Sequence, residues 1–299
     1  MRVLLTGGSG FIGAWLIRRL MQRGFDVRVF DVDSNRSTVA EIAGDDVVRA
    51  LDWHAGDIRA PDAVERAAQD CDGVIHLAGV LTPACRHNPV LGAEIDLIGT
   101  LNVFEAALHH GFASVVYASS AGVFGPDDAV HPCPTTLYGA YKLACEGAAR
   151  AYWADHRLPS IGFRPLVVYG AGRETGLSAG PSLACRAAAR GEAYVHPFTG
   201  ATGLVYVDDC AALFERALTT RVTGAKVFNV IGDVATAEDV LAEIRRNVPD
   251  ARLSASGPPL PIAPGIAEHG LDEMFPSRQR TSLALGIKAT IDHYRARTA

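Results

Sequence analysis

Apolar residues in the first half of the chain follow two alternating patterns. Short β-like runs at Arg2–Thr6, Val27–Asp31, Val74–Leu77, Ser114–Ala118 and Ser160–Arg164 are separated by stretches with helical spacing. Phe11, Ile12, Trp15, Leu16 and Leu20 mark one face of a helix predicted over Phe11–Gln22. Pro61–Gln69, with proline in its first turn, Leu91–His110 and Tyr138–Trp153 are predicted as further helices. Val47–Trp53 carries a less decided pattern. Strands alternating with helices predict βαβ units with right-handed crossovers, and hence an α/β fold on a doubly wound parallel sheet.

From about Tyr169 this rhythm breaks. Gly170, Gly172, Gly176, Gly180 and Pro181 predict irregular chain, as does the Pro-rich stretch Gly257–Gly265. Leu204–Val207 running into Asp208–Thr219 still reads as strand and helix, Val227–Ile231 as a strand, and Leu283–Arg297 as a final helix. The expected organisation is a Rossmann domain over 1–168, with 203–232 returning to it. A smaller C-terminal region, 169–202 and 233–299, is expected over its open edge, where it would bind substrate.

Composition narrows the partners. Hydrophobic residues at 48% and charged residues at 20% are the balance of a globular protein able to bury a sizeable core. A net charge of −5, with no run of Lys and Arg, argues against nucleic acid. No apolar stretch approaches the ~20 residues of a membrane span, and the apolar start Val3–Leu5 is too short for a signal peptide. Cys71, Cys85, Cys133, Cys145, Cys185 and Cys210 are scattered without C-x-x-C spacing. They read as reduced thiols of a cytoplasmic protein, not as disulfides or a metal site.

The first candidate chemistry lies in Thr6-Gly7-Gly8-Ser9-Gly10-Phe11-Ile12-Gly13, between a predicted strand and helix. Gly7 and Gly10 permit a tight turn and close approach of a pyrophosphate. Gly13 lets helix and strand pack, and the helix opening at Phe11 and Ile12 supplies N–H donors and positive partial charge. Asp31 ends the second strand, eighteen residues past Gly13. A carboxylate there accepts ribose hydroxyls and repels a 2′-phosphate, so NAD is expected over NADP. Arg36 is the residue that would accommodate that phosphate; its competing reading is a solvated loop residue. Asp57, in Gly56-Asp57-Ile58, either meets the adenine or caps the helix before Pro61.

The second lies in Tyr138-Gly139-Ala140-Tyr141-Lys142. Four residues apart on a helix, Tyr138 and Lys142 share a face. A tyrosine of pKa ~10 is a poor base at neutral pH, and a neighbouring ammonium plus a positive nicotinamide ring would lower that value. A serine hydroxyl of Ser119-Ser120, at a strand end, would reach the same substrate oxygen.

Together with VIHLAG at Val74–Gly79, GTLNVFEAA at Gly99–Ala107, SSAGVFG at Ser119–Gly125, RPLVVYG at Arg164–Gly170 and VYVDD at Val205–Asp209, these motifs resemble the extended short-chain dehydrogenase/reductases. The resemblance is to the NAD-dependent epimerase/dehydratase family, which includes UDP-galactose 4-epimerase. It implies Ser120 as catalytic hydroxyl, Tyr138 as acid/base, and Lys142 as its electrostatic partner and ribose ligand. It implies Asp57 and Ile58 at the cofactor, backbone contacts to it from Leu77, Ala78 and Gly79, and a homodimer through Leu91–His110 and Tyr138–Trp153. His76 is expected to be a packed core residue.

Departures from the family pattern bear on substrate. Val167 stands where sugar-nucleotide members carry Asn, and Thr202 where they carry the Arg that holds a diphosphate. Losing an amide and a cation weakens diphosphate recognition, unless Arg173, Arg186, Arg278 or Arg280 compensates. Ala121-Gly122 replaces the Asp-Glu pair of 4,6-dehydratases, and Asp96 stands where many relatives have Asn. The leading expectation is an NAD-dependent dehydrogenase/reductase acting on a secondary alcohol or ketone of a sugar-like or hydroxy-acid substrate. A UDP-sugar 4-epimerase with tightly bound NAD is the alternative, and a non-catalytic NAD sensor the least favoured.

Overall fold

A computed structural model describes residues 1–263 and 265–297. Its strands are β1 (Arg2–Thr6), β2 (Asp26–Asp31), β3 (Asp52–Ala55), β4 (Gly73–His76), β5 (Val115–Ala118), β6 (Ser160–Pro165), β7 (Val167–Tyr169), β8 (Tyr194–His196), β9 (Ala201–Tyr206), β10 (Ala225–Val230), β11 (Asp233–Thr236) and β12 (Leu253–Ala255). Seven of them pair in the order β10-β6-β5-β4-β1-β2-β3, every pair parallel. The predicted doubly wound α/β sheet is present.

Side-chain alternation explains why these strands need helices on both faces. On β1, Val3 and Leu5 enter one core layer and Leu4 the other. Ile75 and Val116 follow the first layer, whereas Val74 and Val115 follow the second. The first layer is covered by helices Phe11–Gln22 and Val207–Thr219, the second by Pro61–Ala68 and Gly99–His109. Strand order reverses between β1 and β4, which pair with Thr6 opposite His76 at their carboxyl ends. A crevice at such a switch point is where this architecture binds ligands.

Much of the first half matches the expected boundaries, with β1 and helix Phe11–Gln22 on the predicted residues. Val47–Trp53 resolves into the end of a helix, Asp45–Ala50, followed by β3. The single helix expected over Leu91–His110 is three pieces: Pro89–Ala93, a π-helical segment Glu94–Ile98, and Gly99–His109. Gly180 and Pro181, expected in irregular chain, open helix Gly180–Ala189, where a first-turn proline costs no hydrogen bond.

Within 203–232, β10 joins the main sheet beside β6, whereas β9 pairs with β7 and β11 in a separate sheet. β8 and β12 form a third. Helix Leu283–Ala296 closes over this region, and the hydroxyl of its Tyr294 accepts a hydrogen bond from Gly172 N–H at 3.1 Å. Of the Pro-rich stretch, Pro264 lies outside the described residues. Among the described residues no helix is long and apolar enough to cross a membrane.

Candidate active site

The glycine turn is fixed by contact on one side and open on the other. Gly7 has φ +72°, and a Cβ there would lie 2.6 Å from Ala78 N. A Cβ on Gly13 would lie 2.6 Å from Gly8 O, so helix and turn touch through backbone. On Gly8, absent from the sequence reasoning, it would meet Val29 Cγ1 at 2.6 Å. Gly10 differs: its Cβ would meet only Gly7 O, at 3.4 Å. No described side chain caps the helix that Phe11 and Ile12 begin, so its first-turn N–H groups suit an anion resting on Gly10.

Asp31 stands beside this turn. Its Oδ2 accepts Ser9 N–H at 2.9 Å and its Oδ1 accepts Asp33 N–H at 3.0 Å. Each carboxylate oxygen keeps acceptor capacity for a ribose hydroxyl, so turn and carboxylate together fit a dinucleotide. Arg36 is exposed, as the solvated reading expects, but its guanidinium stacks 4.4 Å from the Trp53 ring centroid. Asp57 caps no helix: Ala60 holds that position before Pro61, and Asp57 accepts from Arg59 N–H at 2.9 Å. Hydrogen bonding to Arg59 also holds its carboxyl below the ordinary range. That removes the capping alternative. Ile58 packs under Gly99, and its carbonyl accepts from Asn102 Nδ2 at 2.9 Å.

Leu77, Ala78 and Gly79 continue from β4 past the turn, held there by a directed chain of hydrogen bonds. Ala78 N–H donates to Thr6 Oγ1 at 3.3 Å, and Thr6 Oγ1 lies 2.7 Å from His76 Nδ1. On the other side His76 Nε2 lies 3.0 Å from Thr100 Oγ1, which donates to Asp96 O at 2.6 Å. Because Thr100 spends its proton on that carbonyl, His76 Nε2 must donate, and in the neutral imidazole Nδ1 then accepts the Thr6 hydroxyl. Burial, followed by the nearby Lys142 charge, depresses His76 to about 3. His76 is a packed core residue, as expected.

The two adjacent serines have different surroundings. Ser119 is buried and donates to Glu146 at 2.5 Å; Arg164 binds the same carboxylate through Nε at 2.7 Å and Nη2 at 2.5 Å. Ser120 Oγ accepts Gly122 N–H at 3.0 Å, and a Cβ built on Gly122 would lie 3.2 Å from Ser120 Oγ and 3.6 Å from Tyr138 Cδ1, so the two side chains are neighbours. Helix Leu137–His156 begins beside it, its Thr136 cap accepting Gly139 N–H at 3.1 Å. Tyr138 is half-buried and Lys142 buried, with Nζ 5.8 Å from the Tyr138 ring centroid. Ser120, Tyr138 and Lys142 are therefore brought together.

The electrostatics of the protein by itself bear on the phenolate expectation, which also counted the charge of a nicotinamide ring. Burial raises the Tyr138 pKa; Lys142 pulls it down as expected, but Asp96 adds to the rise, and the net direction is upward. For Lys142 burial opposes the charge, yet Asp96 and then Tyr138 more than offset this, and its pKa is raised. Asp96 faces both from the π-helical segment. Asp96 stood out in the sequence as a departure from the family's Asn; Glu146, one turn beyond Lys142 on the same helix, was not anticipated, although the four-residue spacing was visible.

Val167 and Thr202 are packed in β7 and β9, at 1% and 8% exposure, and offer no amide or cation to a diphosphate. Of the arginines expected to compensate, Arg186 pairs with Glu174, while Arg278 and Arg280 pair with Glu268 and Asp272. Arg173 donates to Val168 O and Ser178 Oγ and lies 5.8 Å from the Phe11 ring centroid. Among the described residues no carboxylate pairs with it.

A model of the NAD dependent epimerase/dehydratase family matches residues 3–230. The bifunctional UDP-glucose 4-epimerase and UDP-xylose 4-epimerase 1 of Pisum sativum is 32% identical over 164 residues, 50% of this chain and 47% of that protein. UDP-glucose 4-epimerase 3 of Oryza sativa subsp. japonica is 35% identical over 166 residues, 50% of this chain and 43% of its own length. The chain thus spans about half the length of these relatives. Among solved structures, the UDP-glucose 4-epimerase of Thermus thermophilus in complex with NAD superposes with TM-score 0.83 at 26% identity, covering 99% of both chains. The Thermotoga maritima UDP-glucose 4-epimerase with UDP-glucose, at 22% identity and TM-score 0.85 over the whole of both chains, shares the fold. With the match to the family model spanning the glycine turn, the Ser120–Tyr138–Lys142 cluster and the whole central sheet, the chain belongs to the NAD-dependent epimerase/dehydratase family.

Proposed function

We propose that the chain is an NAD-dependent nucleotide-sugar 4-epimerase in which Tyr138 exchanges the proton of the sugar hydroxyl. The observation that carries this is that the Lys142–Tyr138 pair and the glycine turn meet along one short segment: a Cβ on Gly7 would lie 2.6 Å from Ala78 N, and one on Gly79 3.3 Å from Lys142 Nζ, which stands 5.8 Å from the Tyr138 ring centroid. The likeness to the Thermus thermophilus enzyme along nearly all of both chains supports the epimerase reading over a net dehydrogenase. Gly7, Gly10, Phe11, Ile12 and Gly13 would hold the pyrophosphate, Asp31 the adenosine ribose, and Asp57 and Ile58 the adenine side. Leu77, Ala78 and Gly79 would line the path to the nicotinamide, with Lys142 on its ribose. NADP fits less well, because Asp31 would meet its extra phosphate.

When bound, NAD supplies the acceptor and donor of two electrons. Tyr138 takes the hydroxyl proton and later returns it, Ser120 holds the substrate oxygen beside Tyr138, and the Lys142 ammonium favours the phenolate. Two helices, Gly99–His109 and Leu137–His156, would pair across a homodimer, and the free thiols of all six cysteines fit a cytoplasmic setting.

Packed Val167 and Thr202 favour a second reading, oxidation or reduction of a sugar acid or hydroxy acid with no diphosphate to hold. Incubation with UDP-glucose or UDP-galactose, and separately with NAD and a panel of such acids, separates the two. The epimerase interconverts the UDP-sugars and accumulates no NADH. Inert UDP-sugars with acid-dependent NADH absorbance would establish the dehydrogenase instead.

A further inference from the structure

Asp96 is a buried charge with no part in the chemistry above. It is fully buried on the π-helical segment, directly behind Gly79. Its Oδ1 accepts Val80 N–H at 2.9 Å and its Oδ2 accepts the Cys85 thiol at 3.3 Å. With both oxygens accepting, the group is arranged as a carboxylate. An amide would serve Val80 equally well and is far less costly to bury than a charge, so hydrogen bonding alone does not call for an acid here. The opposite charge is close at hand. A Cβ built on Gly79 would lie 2.6 Å from Asp96 Oδ1 and 3.3 Å from Lys142 Nζ, so carboxylate and ammonium meet at one glycine.

We propose that Asp96 is a positioning residue acting through Lys142: it offsets part of the ammonium's pull on Tyr138 and so sets the pH at which Tyr138 exchanges its proton. This rests on Tyr138 being the proton-exchanging group. The other groups facing Tyr138 are Lys142 on its own helix, Ser120 after β5, Cys85 on helix Thr82–His87, and Arg173 after β7. Those facing Lys142 are neutral His76 on β4, Cys85, and Cys145 one turn along its helix. When Asp96 alone is replaced, Lys142, Ser120, Arg173, His76 and Cys145 keep their side-chain partners and only the Cys85 thiol, which donates to Asp96, changes its acceptor, so the difference reports chiefly the Asp96 charge. The upward displacement of Tyr138, to which Asp96 contributes after burial, has the required sign.

The test is the ultraviolet titration of tyrosinate in the full-length holoenzyme. The spectrum of Tyr138→Phe subtracted from wild type isolates Tyr138, and the same subtraction is made in an Asp96→Asn background. A unit charge removed at this range, partly screened by the protein, shifts the midpoint by about one pH unit. Expected is a Tyr138 midpoint lower by that amount in Asp96→Asn, with the alkaline rise of turnover moving down with it. An unmoved or raised midpoint overturns the proposal. Should Asp96→Asn not fold, Asp96→Ser, also neutral, carries the same expectation. The two readings fail separately. Turnover near wild type in Tyr138→Phe removes Tyr138 from the chemistry, whereas a dead Tyr138→Phe with a fixed midpoint removes only the role of Asp96.

Discussion

Replacing Glu146 by alanine removes the anchor beneath the candidate site. Its carboxylate is completely buried and accepts from Ser119 and, through two nitrogens, from Arg164, whose side chain is only 15% exposed. Alanine leaves a guanidinium in a largely dry setting with Asn229 Oδ1 at 3.3 Å and the Phe124 ring 5.1 Å from its Cζ. It also leaves the Ser119 hydroxyl without its acceptor. Breaking a buried pair costs about 3–5 kcal/mol, and the residual exposure of Arg164 places this one near 3 kcal/mol. At a urea slope of roughly 3 kcal/mol per molar, the unfolding midpoint falls by about 1 M. Removing both charges, as in Glu146→Gln/Arg164→Met, recovers much of the loss, because no unpaired ion remains. A midpoint for Glu146→Ala within about 0.2 M of wild type, a shift worth roughly 0.6 kcal/mol at that slope, would refute the reasoning.

Other expectations follow from the turn and from the buried histidine. Gly7→Ala and Gly24→Ala both place alanine at positive φ, but only the first meets backbone, at Ala78, while Gly24 has open space. Gly24→Ala should cost about 1 kcal/mol and leave NAD affinity alone; Gly7→Ala should cost clearly more and weaken NAD, as measured by denaturation and NAD titration. Asp31→Ala, which also strands the Ser9 and Asp33 amides, should raise the NAD dissociation constant roughly 10- to 100-fold and narrow the preference over NADP. His76 sits at about 3 when folded and 6.5 by its ordinary value. The unfolded chain therefore binds the extra proton, and the stability this group confers is present above pH ~6.5 and lost as pH falls toward 3. Its slope approaches about 1.4 kcal/mol per pH unit, and His76→Asn should flatten stability against pH by one proton.

Much of the first half of the fold was legible because strands such as β1, β4 and β5 are apolar on both faces and the helices on one, a pattern that β3 (Asp52–Ala55) lacks. Arg2–Thr6 and Phe11–Gln22 needed nothing beyond that pattern. The π-helical break in Leu91–His110 was not legible: its apolar spacing continues through Glu94–Ile98, and what the break does is bring buried Asp96 to Gly79 and Lys142. Helix Gly180–Ala189 was hidden by the glycine and proline that open it. At the candidate site, residue type and spacing pointed to Tyr138, Lys142 and the pair Ser119-Ser120, and the family resemblance singled out Ser120. The partners that distinguish Ser119 from Ser120 come from a helix and a strand distant in sequence, Glu146 and Arg164. The direction of the Tyr138 shift also depends on burial, which spacing does not report.

The most direct test of the central claim is turnover of UDP-glucose and UDP-galactose by wild type and Tyr138→Phe, with bound NAD measured in each. The account predicts interconversion by the wild type without NADH accumulation. In Tyr138→Phe it predicts a loss of roughly 100-fold or more with NAD content retained. Interconversion near the wild-type rate in Tyr138→Phe would contradict it.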